Sequence, residues 1–316
     1  MIRAFLFPGQ GSQYPGMGAD LVEAYPHTRD VFEQADHILG FSLSEIMFDE
    51  SDGAADRLRQ TEVTQPALFV HSVAAAAVLD KLGVKAQMAA GHSLGEYSAL
   101  VAAGAISFED GLRVVRRRGE LMAQAGDARP GTMAAVLGLD DDVIRKICAE
   151  VAPEHGTVQA ANFNAPGQVV ISGDPAAVEI ASQALTESGA RRVVPLPVSG
   201  AFHSELMEYA VPGLREALDG VEIQAPTCPV YLNVTARPAQ DPEEIRRRLL
   251  EQLTAPVLWT GILSAMSDDG ATRFVEVGAG AVLSGLVKRT LGRSIETKPA
   301  GKAEDFERPE VFQISD

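Results

Sequence analysis

Read only for apolar and polar positions, the chain changes rhythm at about Thr132 and again after Val198. It opens with a nearly continuous apolar run from Arg3 to Phe7, the pattern of a buried strand, followed at once by PGQGSQ from Pro8 to Gln13. Helical segments follow around Tyr25 to Leu39, then a polar linker from Ser51 to Thr61. In TQPALFVHSVAAAAVLDKLG, residues Leu68, Val70, Val73, Ala74, Ala77 and Val78 bury a helix almost all round. Pro66 suits its first helical position and Gly83 its end. A short apolar run, Met88 to Ala90, enters GHSLGEY, and helix formers continue to about Ala103. From Phe108 to Ala125, at about 100° per residue, Phe108, Leu112, Val114, Val115, Leu121 and Met122 share one arc. Arg113, Arg116, Arg117, Glu120 and Gln124 occupy the other, and Arg118 falls among the apolar residues.

Between residues 132 and 198 the pattern becomes strand, aspartate-capped helix, strand, the turn NAPG, strand, helix, strand. That βαββαβ order is the ferredoxin-like split pattern, expected as a small subdomain of residues 129–198 inserted into a larger α/β body of residues 1–128 and 199–293. The main body resumes with SGAFHS, a helix through Leu214 and Leu218, the strand-like PVYLN, an arginine-rich helix ending in EQLTAPVLW, then RFVEVG and the helix AVLSGLVKRTL. Residues 294–316 have no periodic apolar face, contain Pro299 and Pro309, and read as a polar, mobile tail. There is no internal repeat.

Composition narrows the function. The 316 residues are 46% apolar, enough for a sizeable core, and the formal charge of −16 argues against nucleic-acid binding, which needs a basic face. No apolar run approaches bilayer-spanning length, and MIRAFLFPGQ is too short in apolar residues for a signal peptide, so no membrane association and a cytoplasmic location are expected. Cys148 and Cys228 are far apart and suggest neither a disulfide framework nor a thiolate metal site.

The chemistry gathers around GHSLGEY. A G-x-S-x-G pentapeptide between a strand and a helix is a candidate nucleophile elbow, with Ser93 at its tip and the helix dipole favouring a developing oxyanion; the alternative is a chance glycine-flanked serine in a loop. Gln10 follows the first strand, where open α/β sheets bind ligands, and no phosphate-loop pattern is present there. Arg118 on a buried face needs an anion, either an internal Asp or Glu or a substrate carboxylate. Of six histidines, His92 adjoins Ser93 and should point away, His71 lies inside the core helix as a packed residue, and His27, His37 and His155 lie in helical or loop contexts. His203 follows the return to the main body, as a base for Ser93 or a structural histidine. More than a hundred residues follow it, unlike an α/β-hydrolase triad, and only Glu205 offers a weak claim to orient it.

Taken together, FPGQGSQ, TQPAL, GHSLGEY, the arginine in RRRGELM, NFNAPGQVVISG, SGAFHS, QLTAPVLW and EVGAG occur in the order found in the malonyl-CoA:acyl carrier protein transacylases of fatty acid synthesis and the related polyketide synthase domains, and up to about Arg293 the chain resembles that family. The resemblance implies an α/β-hydrolase-like large subdomain with a mostly parallel central sheet, carrying the ferredoxin-like insertion. It makes Ser93 the nucleophile and His203 its base. The backbone N–H groups of Gln10 and Leu94 become the oxyanion hole, Arg118 the clamp on the substrate carboxylate, and the backbone carbonyl of Gln252 the group that orients His203. The implied reaction is ping-pong transfer of malonyl from malonyl-CoA to the phosphopantetheine thiol of acyl carrier protein, with no metal and no tightly bound cofactor. GHSLG and Phe202 resemble the malonyl-selective versions, and Ala279 stands where many relatives carry proline. A local basic patch, Arg191 with Arg192 or Lys288 with Arg289, is expected to receive the acidic carrier. A serine thioesterase or esterase, and a silent docking module, are the rival readings.

Overall fold

A computed structural model describes residues 2–312 as a mixed α/β fold with two sheets. The central sheet has the order β10-β9-β1-β2-β7-β8, with β1 (Ile2–Phe7), β2 (Met88–Gly91), β7 (Val230–Tyr231), β8 (Pro238–Ala239), β9 (Ala271–Val277) and β10 (Glu296–Ala300). All its pairs are parallel except β7 with β8. The second sheet is antiparallel, in the order β4-β5-β3-β6, from β3 (Thr132–Leu137), β4 (Val158–Ala165), β5 (Gln168–Gly173) and β6 (Arg192–Pro195). Helices Asp141–His155 and Pro175–Glu187 pack with it around their own apolar cluster. The two sheets are tied at β4, where Phe163 N–H donates to Val257 O at 2.9 Å and Val257 N–H to Ala161 O at 2.8 Å.

β1 and β9 are neighbours, yet the chain leaves them toward opposite edges of the sheet. Loops after such strands diverge and open a crevice at the carboxyl ends. The loop from Pro8 to Gln13 and the turn at Gly278 meet there, so closely that a Cβ on Gly278 would press on the Pro8 ring. β2 delivers Ser93 beside them.

The core helix differs from its expected start. It runs Thr61–Lys81, so Pro66 lies inside it. Proline offers no N–H to the carbonyl four residues earlier, which leaves Glu62 O without its helical donor. Arg116 supplies the replacement, donating from Nη1 to Glu62 O at 2.6 Å. The helix carrying it, Phe108–Ala128, can come so near because Gly119 lies against the Glu62 backbone. The Thr61–Lys81 helix is also long and apolar enough to cross a membrane by length and composition, contrary to the expectation that no stretch is. Most of it is buried within the protein, as a core helix.

The expected mobile tail is also corrected. Glu296–Ala300 forms β10, the outer parallel strand beside β9, and two short 3-10 turns follow. Phe306 and Phe312 are buried, Phe306 edge-on to Tyr25 at 5.7 Å, and Ala303 N–H donates to Asp20 at 2.7 Å. An edge strand needs one partner and two aromatics need only a pocket, so no periodic face marks this segment. Residues 313–316 of the expected tail lie outside the described residues.

Candidate active site

Ser93 stands between β2 and the helix Gly95–Ala102 with φ 51°, in the left-handed region that costs a non-glycine residue about 1 to 2 kcal/mol. The turn is possible because both flanking glycines lack a Cβ. One at Gly91 would overlap the Gly95 carbonyl, and one at Gly95 would overlap the Phe7 carbonyl of the neighbouring strand. Asn233, just after β7, holds the turn from outside: it accepts from Ser93 N–H at 2.7 Å and donates to Gly91 O at 2.7 Å. Ser93 is half-buried.

Of the six histidines, the fold brings His203 to Ser93. Its backbone also has positive φ, 58°, and its ring is 3% exposed. Nε2 lies 2.8 Å from Ser93 Oγ, and Nδ1 lies 2.8 Å from Gln252 O. A carbonyl can only accept, so Nδ1 carries the proton and the Nε2 lone pair faces the serine hydroxyl. Burial and the nearby Arg118 charge push the imidazole down to about 3, which keeps it neutral. Gln159 of β4 steadies this corner by donating to His203 O at 3.1 Å. Glu205 plays no part in these contacts. His92 points away, as expected, to Asn164 at 2.8 Å and across the Trp259 ring. His71 is fully buried in the core helix, and desolvation lowers it to about 4.

Arg118 is 1% exposed, and among the described residues it has no ion-pair partner. The internal salt bridge left open by the sequence is therefore not made. Instead Nη1 donates to Gln65 Oε1 at 2.6 Å, and Nη2 to Gln252 Oε1 at 2.9 Å and to Ser93 Oγ at 3.1 Å. Tyr97 lies under the guanidinium, 5.7 Å from Cζ to ring centroid. Nε, which shares an edge of the planar group with Nη2, is buried without a hydrogen-bond partner among the described residues. The guanidinium is thus met by neutral groups alone, one of them the serine hydroxyl, and its charge is left for a carboxylate to neutralise.

Gln10 and Leu94 line the same cavity as Ser93, Arg118 and His203, a space of about 110 Å3 walled by Met122, Met133, Leu196, Val198 and Phe202. Larger cavities elsewhere, such as the one beside Cys228, hold no such set. A serine whose hydroxyl donates to a neutral imidazole and accepts from a guanidinium is equipped to attack an acyl carbon.

Four residues of the site were not singled out from the sequence, or only in part: Glu96, Gln65, Asn233 and the side chain of Gln252. All four are buried. Glu96 Oε2 accepts from Asn233 N–H at 2.8 Å and from Gln252 Nε2 at 3.1 Å, and burial lifts its carboxyl to about 7. A carboxylate inside the largely apolar GEYSALVA helix, and a glutamine beside Pro66 at the head of the apolar run, were the signals available.

The chain is similar to known acyl transferases along nearly its whole length. The acyl transferase domain family matches residues 4–309. The protein is 45% identical over 304 residues to the malonyl CoA-acyl carrier protein transacylase of Bacillus subtilis (strain 168), covering 96% of this chain and 95% of that one. The crystal structure of an acyl-carrier-protein-S-malonyltransferase from Bartonella henselae superposes with a TM-score of 0.94 at 43% identity, covering 99% and 100% of the two chains. A malonyl-transacylase in complex with the holo form of its type II polyketide synthase acyl carrier protein matches with a TM-score of 0.93 at 39% identity, over 99% and 100%.

Proposed function

The chain belongs to the acyl transferase domain family, and on that premise we propose that it is a malonyl-CoA:acyl carrier protein transacylase working through a malonyl-serine ester. The observation that carries this reading is the buried Arg118 guanidinium, free of any carboxylate among the described residues, with Nη2 3.1 Å from Ser93 Oγ. A hydrolase of neutral esters has no use for such a charge.

In the first half-reaction the malonyl carboxylate pairs with the Arg118 guanidinium in place of its contact with Ser93 Oγ, which sets the thioester carbonyl over Ser93. Oγ attacks the carbonyl carbon while its proton passes to His203 Nε2. The N–H groups of Gln10 and Leu94 receive the developing oxyanion, a role supported by their place on the cavity wall beside Ser93. The C–S bond then breaks, and the CoA sulfur leaves with the proton from Nε2. In the second half the phosphopantetheine thiol of acyl carrier protein gives its proton to Nε2 and attacks the ester, and Ser93 takes the proton back. The Gln252 carbonyl stabilises the imidazolium in both halves, in place of an aspartate. The reaction so written calls on no metal or redox cofactor.

The finer fold reading is an α/β-hydrolase-like body of residues 1–128 and 199–293 with a ferredoxin-like unit at 129–198, and the β4-β5-β3-β6 order supports the latter. β10 extends the body's sheet beyond residue 293. Fatty acid synthesis in the cytoplasm is the setting proposed for this transfer. The structural neighbour in complex with a polyketide synthase carrier favours, as a second reading, service to such a carrier. Incubation with malonyl-CoA followed by intact-protein mass tests the first half-reaction, and addition of holo carrier tests the second. A malonyl adduct that passes to the carrier far faster than it is hydrolysed is the expected result; release of free malonate alone would replace the reading with a thioesterase.

A further inference from the structure

Two fully buried groups of opposite charge lie in this site without touching. Arg118 enters from the Phe108–Ala128 helix, and Glu96, wholly buried, from the first turn of the Gly95–Ala102 helix behind Ser93. The side-chain amide of Gln252 stands between them. Its Oε1 accepts from Arg118 Nη2 at 2.9 Å, and its Nε2 donates to Glu96 Oε2 at 3.1 Å and to Ser93 O at 3.1 Å.

The chemistry at its two ends dictates which way this amide points. A guanidinium only donates, and an ionised carboxylate and a carbonyl only accept. Turned over, the amide would set NH2 against the guanidinium and oxygen against two acceptors, with every bond in the chain lost. The carboxylate is itself fixed by the Asn233 N–H at 2.8 Å, from the same residue that clamps the Ser93 turn. A neutral side chain at position 96 would offer Gln252 Nε2 a weaker acceptor than the carboxylate, and the hold on Arg118 would loosen.

We propose that Glu96 is a positioning residue for acyl-group selection: through the Gln252 amide its carboxylate holds Arg118 with Nη2 toward Ser93, where the carboxylate of the acyl group must sit. The proposal rests on the reading of Arg118 as the clamp for that carboxylate. It gives the glutamate of GHSLGEY a task beyond packing and gives Gln252 two, its carbonyl serving His203 and its amide serving Arg118. The alignment concerns the guanidinium, so it affects a malonyl group, which carries a free carboxylate, and leaves an acetyl group, which carries none, largely indifferent.

The test compares kcat/KM for malonyl-CoA and acetyl-CoA in the full-length protein at about pH 8, where the carboxyl lifted to about 7 is ionised. Glu96→Gln keeps the shape and removes the charge; it is expected to lower the malonyl-to-acetyl ratio about tenfold, chiefly through KM for malonyl-CoA. Gln252→Leu keeps the backbone carbonyl on His203 and removes the amide; it should lower the ratio likewise, and Glu96→Gln added to it should lower the ratio no further. Equal losses with both substrates in Glu96→Gln, or full additivity in the double variant, would make Glu96 a packing residue. If Glu96→Gln fails to fold, an unchanged ratio in Gln252→Leu overturns the proposal by itself. A wild-type protein with no preference for malonyl would instead defeat the reading of Arg118, a result distinct from any of these.

Discussion

Replacing Arg118 by alanine removes the buried cation beside Ser93, and the size of the loss can be worked from its contacts. In the free protein the guanidinium donates to Gln65, Gln252 and Ser93 Oγ, and all three are neutral. A malonyl carboxylate placed against this guanidinium forms a charge-assisted pair shielded from water, and removing one partner of such a pair costs about 3 to 5 kcal/mol. At about 1.36 kcal/mol per decade this is about two to three and a half decades in kcat/KM for malonyl-CoA. Acetyl-CoA brings no second charge, so its kcat/KM should hold or rise. Arg118→Lys should recover little, since a point charge on a flexible stem cannot reproduce the fork. The assay is the malonyl-to-acetyl ratio in wild type and variants, with circular dichroism to show that each is folded. Equal losses with both thioesters would make Arg118 a structural residue and refute the reasoning.

Ser93→Ala should take up no malonyl by intact mass, and His203→Ala should acylate about 100- to 10,000-fold more slowly while remaining folded; a stable adduct on the first, or an unchanged rate in the second, removes that residue from the mechanism. The helix Val282–Leu291 begins beside the loop that carries Gln10 and ends in the exposed Lys288 and Arg289, so reversing both charges should raise KM for carrier protein and leave malonyl-CoA kinetics alone; Arg191 and Arg192 are the control pair, and an effect confined to them would move the docking surface. His71 is held neutral down to about 4 against 6.5 when unfolded, so the unfolded chain takes up a proton that the folded chain refuses. Its stability contribution is whole above about pH 6.5 and declines as pH falls, by about 2 kcal/mol at about pH 5. Urea midpoints should therefore fall less on acidification in His71→Leu than in wild type, and parallel losses would contradict this.

Much of the site is written in local sequence because its physics is local. Two glycines around a serine between a strand and a helix fix the sharp turn at Ser93, since only missing Cβ atoms let the neighbouring backbones close in. An arginine on an apolar arc announces a buried charge, and the period change at residue 132 announces the second sheet. What the sequence could not determine is which groups meet across long separations. The partners of Arg118 come from residues 53, 25 and 134 positions away, and all are neutral, which no periodicity reveals. Glu96 and Asn233 lie 137 positions apart and matter only because parallel strands β2 and β7 bring their ends together. The C-terminal segment is illegible for the same reason. An edge strand and two buried phenylalanines have no pattern of their own, and become structure only when β9 and Tyr25 are already in place to receive them.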